Sequence, residues 1–231
     1  MNGINVKWFG HSAFQIEINE TAIYFDPVMT NYSLGTTLEP NNETKVSAIF
    51  ISHEHWDHFD AGTIISLNAK SARIYCPKAV IDPLITRMSF TVRTKEDLQK
   101  LIEKISLVNK GDIVKVNSVQ IKCLEASEGL SYLMIHNDKK ILFMGDSVAT
   151  SEMIAEKPDI ILFPIWAVKG VEAKLEEFLN LAKESLCIPM HYHTTSASAF
   201  PQFYIEPQKI KELLGTNVRM VVLERNKQYG F

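Results

Sequence analysis

Alternation of apolar and polar positions opens the chain. Ile4 to Phe9, Ala13 to Ile18 and Thr21 to Phe25 each read as a short strand, and Asn19-Glu20 makes a two-residue turn between the second and third. This predicts an antiparallel start. The stretch from Pro27 to Lys45 is rich in Asn, Thr, Gly and Pro with no sustained period, which suits a loop of function, a rim or lid, more than a connector. After the apolar run Ala48 to Ile51, strands and helices alternate. A helix is expected over Ala61 to Asn68, a strand over Arg73 to Cys76, and a short helix with Asp82 as cap and Pro83 as first residue. Thr94 to Asp97 resembles a capping box, and Leu98, Leu101, Ile102 and Ile105 follow at the spacing of one buried helix face.

A second meander follows over Ile113 to Val116, Val119 to Leu124, Ser131 to His136 and Lys140 to Met144. Helices are then expected at Thr150 to Glu156, Val171 to Glu184 and Pro207 to Leu214, between strands at Ile160 to Phe163 and Leu186 to Ile188, with Arg219 to Leu223 last. Meander followed by alternation thus occurs twice. The pattern predicts one α/β domain over 1–231, with two similar halves, about 1–118 and 119–231, packed sheet to sheet with helices outside.

Polar residues at the predicted strand ends carry the chemistry. His53-Glu54-His55-Trp56-Asp57-His58 follows Ala48 to Ile51 directly. With seven histidines and nine aspartates in the 231-residue chain, an HxHxDH pattern would arise by chance about 0.0003 times. Imidazole and carboxylate are the usual ligands of zinc and other first-row metals. His53 and His55, two apart, face the same way where a strand runs into a loop. The metalloprotease pattern HExxH fails, because Asp57 stands where its second histidine belongs. Asp26, Asp146 and His191 also follow apolar strands, and the four segments can converge on one cleft.

Composition narrows the function classes. Hydrophobic content of 46% and charged content of 22% are ordinary for a globular domain. With a net charge of −3 and no run of Lys or Arg longer than two, nothing suggests a phosphate-backbone track or an anionic-membrane anchor. A small-molecule substrate is expected, without nucleic acid. Cys76, Cys123 and Cys187 are odd in number and lie in apolar stretches, as buried thiols in a reducing compartment would. The longest apolar run, nine residues from Ile160 to Val168 broken by Pro164, is too short to span a bilayer, and no basic-then-apolar leader opens the chain. A cytoplasmic location is expected.

Five segments in order give the chain a family likeness: Trp8 to Phe14, Tyr24 to Pro27, Ser52 to Phe59, Phe143 to Asp146 and Ile188 to Tyr192. Through them it resembles the metallo-β-lactamase-fold hydrolases, and among those the small metal-dependent hydrolases that include ascorbate-phosphate lactonase-like proteins. The resemblance implies a four-layer αββα sandwich with the site at one edge between the sheets. It implies that His53 and His55 bind a first ion, that Asp57, His58 and His191 bind a second, and that Asp146 bridges them. Asp26 would orient a ligand from the outer shell. His11 and His193 are candidates for the pocket wall, with His193 a possible proton donor to a leaving group.

The chain departs from the family at one ligand. The family supplies a third histidine to the first ion from the loop before the Gly-Asp strand, whereas here that loop reads Leu124-Glu125-Ala126-Ser127-Glu128-Gly129-Leu130. Glu128 or Glu125 substitutes, water fills the place, or the first ion is weak and one ion works alone. A carboxylate there would favour Mn2+ or Fe2+ beside Zn2+. The expected activity is hydrolysis of a small ester, lactone or phosphoester by metal-activated water, oriented by Asp57 as ligand and proton acceptor. Two other readings stand beside it: a degenerate binding or sensing module holding one metal or none, and a phosphodiesterase or nuclease, against which the charge argues.

Overall fold

The computed structural model describes residues 3–28, 34–39, 45–67, 72–83, 85–86, 95–168, 174–192, 207–216 and 218–231. Three antiparallel strands open it: β1 (Ile4–Gly10), β2 (Ala13–Ile18) and β3 (Thr21–Phe25). The chain then adds β4 (Ala48–Phe50), α1 (Ala61–Ser66), β5 (Arg73–Cys76), α2 (Lys95–Ile102) and β6 (Ile105–Leu107), all three strands running parallel to β3. The second half repeats this plan. β7 (Ile113–Val116), β8 (Val119–Glu125), β9 (Leu130–His136) and β10 (Lys139–Phe143) form an antiparallel meander. α3 (Ser151–Glu156), β11 (Ile160–Pro164), α4 (Leu175–Ala182), β12 (Leu186–Met190), α5 (Pro207–Leu214) and β13 (Arg219–Met220) follow, with β11 to β13 parallel to β10.

β14 (Gln228–Gly230) closes the chain by returning to β1. Two seven-stranded sheets result, in the orders β14-β1-β2-β3-β4-β5-β6 and β13-β12-β11-β10-β9-β8-β7. The junction between them therefore falls at 108–112, before β7, rather than at the turn near 118, and the C-terminal strand belongs to the first sheet. A three-residue strand at either place has too short an apolar pattern to stand out in the letters. Ile105 lies in β6 and not on the face of α2, and Asp82 lies within a helical segment rather than capping one.

Each strand's two faces go to different layers. In β3, Ile23 and Phe25 join the core between the sheets, while Ala22 and Tyr24 join a separate cluster with Ala61 and Ile64 of α1 and Leu101 of α2. β4 and the residue after it do the same, with Ala48 and Phe50 on one side and Ile49 and Ile51 on the other. Both faces of these strands are apolar because both are covered. Across the other sheet, Phe178 of α4 packs on Phe163 of β11 with ring centroids 4.6 Å apart. Burying one such side chain contributes about 1.5–3 kcal/mol. Helix, sheet, sheet and helix stack in four layers, and the ends of β3, β4, β10 and β12 meet at one edge.

Candidate metal centre

Six segments supply side chains to that edge. His11 is in the β1–β2 turn, Asp26 follows β3, and residues 53–58 follow β4; Glu128 is in the β8–β9 loop, Asp146 follows β10, and His191 follows β12. Each sheet thus contributes three. The loop carrying Glu128 reaches the first sheet through a close backbone approach. Leu130 N donates to Ser52 O at 3.0 Å, and Gly129, at φ +62°, lies where a Cβ would stand 2.1 Å from Ser52 O and 2.7 Å from His53 Cβ. Only glycine fits there. Its neighbour Glu128 is thereby placed with Oε2 3.0 Å from His55 Nδ1 and 3.6 Å from His53 Nε2. Glu125 points elsewhere, to Lys110 Nζ at 2.5 Å. Of the two glutamates, Glu128 is the one beside the paired histidines.

The second set gathers around Asp146. Its Oδ1 lies 3.2 Å from His58 Nε2 and its Oδ2 3.2 Å from His191 Nε2. Asp57 Oδ2 is 3.5 Å from His191 Nε2 and 3.0 Å from His11 Nε2. The rings of His53 and His58, 4.2 Å apart between centroids, join the two sets. His53, His55 and Glu128 form one group whose ligand atoms lie within 4.8 Å of one another, and His11, Asp57, His58 and His191 form another. His193 and residues 194–206 lie outside the described residues, as do 29–33 and 40–44 of the expected lid. The described part of that lid packs inward: Leu34, Thr36 and Leu38 are buried and Thr37 N donates to Phe9 O at 2.7 Å.

Asp26, wholly buried, sets the orientation of one histidine from each set. His58 Nδ1 donates to Asp26 Oδ2 at 2.7 Å, which aims Nε2 at Asp146. Ser52 Oγ donates to the same oxygen at 2.5 Å, so it accepts from His53 Nδ1 at 2.9 Å and leaves His53 Nε2 as a lone-pair donor. Ser52 N closes the network on Asp26 Oδ1 at 2.7 Å. Ser52 carries no signal in the letters beyond a hydroxyl directly before the histidine pattern, and the sequence reading passes over it. Gly129 likewise shows its role only once the two loops meet.

The donor set fits divalent ions. His53 Nε2, His58 Nε2 and Asp146 Oδ1 are buried and have no hydrogen-bond partner among the described residues. Buried imidazole and carboxylate groups gathered in this way lose hydration, and a cation among them offsets that loss. Ligands about 2.0–2.2 Å from one ion stand about 3.0–3.6 Å apart, and the separations above span 3.0 to 3.6 Å.

Protonation follows from burial and neighbours. Burial opposes the charge on His191, but Asp146, and then Asp57, outweigh it and raise the pKa to about 9. Burial also opposes charge on His58, and Asp146 and Asp26 raise it well above the ordinary value. Asp146 is held well below the carboxylate range, against its burial, by His58 and His191. His11 and His53 are pushed down to about 3, chiefly by desolvation. At pH 7 the ion-free protein therefore holds protons on His58 and His191 that a metal ion must displace. Zinc uptake at pH 7 is expected to release between about one and two protons per chain and to tighten as pH rises towards about 9, where the His191 proton leaves unaided. Calorimetric titration in buffers of differing ionisation enthalpy reads the number, and uptake without proton release would contradict this charge arrangement.

Comparison with known proteins bears on family and fold. The pattern of a β-lactamase superfamily domain matches residues 21–199. A metal-dependent hydrolase of Aeropyrum pernix is 27% identical over 246 residues, covering 98% of this chain and 97% of its own length. One from Hyperthermus butylicus is 24% identical over 242 residues, covering 98% and 99%. Among solved structures, a metallo hydrolase from the archaeon Ignicoccus hospitalis superposes with a TM-score of 0.72 at 21% identity, over 99% of this chain and 98% of its own.

Proposed function

From the premise that the chain belongs to the metallo-β-lactamase-fold superfamily, we propose that it is a metal-dependent hydrolase of a small ester, lactone or phosphoester. The observation that carries this reading is the convergence of His53 Nε2, His58 Nε2 and Asp146 Oδ1, three buried ligand-type atoms, at the edge between the sheets. When bound, divalent ions supply a charge that polarises a substrate oxygen and brings the pKa of water towards ~7.

The chain's own residues do the rest. His53, His55 and Glu128 would hold the first ion, Asp57, His58 and His191 would hold the second, and Asp146 would serve both. Asp26 and Ser52 lock the tautomers of His58 and His53, so that neither ring turns its protonated nitrogen to the ion. Asp57, held ionised by His11 and His191 against its burial, stays a proton acceptor at neutral pH. The open side is marked by exposed His55, Trp56 and Glu128, so substrate would approach from the side of these residues. That carboxylate admits Mn2+ or Fe2+ beside Zn2+. His193, directly after Tyr192, is the candidate proton donor to the leaving group.

The three thiols are free and buried, and among the described residues no helix is long and apolar enough to cross a membrane. A cytoplasmic enzyme with a small-molecule substrate is the reading these features support, and the net charge of −3 argues against a nucleic-acid substrate.

Metal content and hydrolysis test the proposal together. Protein purified without chelator is expected to hold about two ions per chain and to cleave chromogenic esters, lactones or phosphoesters, with loss on chelation and recovery on adding zinc, manganese or iron. Fewer than about half an ion per chain, with no activity gained from any of the three metals, would favour the binding-module reading.

A further inference from the structure

Among the described residues, His11 is the imidazole at this edge that lies outside the expected ligand set. It occupies the tight turn between β1 and β2, is 2% exposed, and points its Nε2 to within 3.0 Å of Asp57 Oδ2. Its ring centroid lies 4.2 Å from that of His191 and 5.7 Å from that of His58, which are themselves 5.2 Å apart. Three buried imidazoles and a carboxylate thus surround one point, with one ligand-type atom from each within 4.8 Å of all the others.

Backbone strain marks the same residue. Apart from glycine, eight described residues have positive φ; four are asparagines, which tolerate it, and one is Lys157 at the end of α3. The other three are His11 at +48°, Asp26 at +41° and His191 at +58°, all at this edge. A left-handed conformation is uncommon outside glycine and persists where surrounding structure imposes it. Here His191 N donates to His11 O at 3.1 Å, and Trp8 Nε1 donates to the same oxygen at 3.0 Å. The two strained histidines, one from each sheet, are therefore tied backbone to backbone and face the same carboxylate. A wall residue requires no such precision.

We propose that His11 is a direct ligand of the second metal ion through Nε2, joining Asp57, His58, His191 and the shared Asp146. The proposal rests on the reading that this edge holds two ions. Its spacing from Asp57, 3.0 Å, is that of two ligands about 2.1 Å from one ion. The consequence is a functional division of the centre. The second position is enclosed and rich in imidazole, whereas the first is held by His53 with His55 and Glu128, whose side chains are 53% and 48% exposed. The second ion is retained and sets the geometry; the first exchanges and meets substrate.

Nitrogen-15 spectra of the zinc-loaded full chain read ligation directly, since a zinc-bound ring nitrogen loses its proton and shifts. Five of the seven histidines are expected to be zinc-bound, His11 among them through Nε2. In parallel, His11→Gln is expected to weaken the tighter of the two ions by at least about tenfold and speed its loss to chelator, leaving the looser ion unchanged. Two ions bound with His11 Nε2 still protonated would overturn the assignment of His11 and leave the hydrolase reading standing. A protein that binds no zinc would overturn both. The spectra need no variant, so they decide the matter even if His11→Gln fails to fold.

Discussion

Asp146→Asn is expected to reduce hydrolysis by about a thousandfold or more and to lower metal content at both positions. The substitution preserves volume and removes the charge. Asp146 Oδ1 and Oδ2 each lie 3.2 Å from an imidazole, His58 and His191, that carries a raised pKa because of this carboxylate. An amide offers one neutral oxygen in place of two charged ones, so it cannot serve two cations. The raised pKa of His191, about 9, should fall with the loss of its principal partner, which is visible by NMR in the ion-free variant without any assay. Metal analysis and turnover decide the outcome. If only one ion is lost, Asp146 belongs to the second set alone and is not shared; if neither is lost, it is no ligand.

Glu128→Gln carries the next largest effect, and it is confined to the first ion. Glu128 is the only carboxylate in the group with His53 and His55, so removing its charge should lower affinity there by at least about tenfold and activity in proportion. Glu128→His should restore occupancy and move the preference from manganese or iron towards zinc, because a third imidazole replaces a hard oxygen. Competition titrations with the three metals measure both changes. Full first-ion occupancy in Glu128→Gln, at unchanged affinity, would show that water or another group completes that position. Gly129 gives this prediction its structural basis, since the loop reaches His53 only because the residue after Glu128 lacks a Cβ.

Local pattern made most of the architecture legible. Strand periods, turn residues and the repeated order of meander then alternation led to two sheets with helices outside, because each of those signals is set within about ten residues of chain. β6 and β14 were hidden, being three residues each, and with them the true junction between the halves. The ligand types were equally plain, as four of them sit in six consecutive positions after β4.

Which glutamate joins those histidines, and what His11 does, were beyond the letters. Glu125, the last residue of β8, and Glu128, in the loop that follows, are three residues apart and alike in chemistry. They are separated only by Lys110, which takes Glu125, and by the contact of Gly129 with Ser52, which delivers Glu128. His11 reads as one histidine in a tight turn until His191, from the opposite sheet, is bonded to its carbonyl. The chain by itself determined which side chains exist and which strand ends carry them, since propensity and periodicity act over neighbouring residues. Only the packing of one sheet on the other decided which of them share an ion, since coordination depends on distances of about 3 Å between segments whose relative placement no local rule encodes.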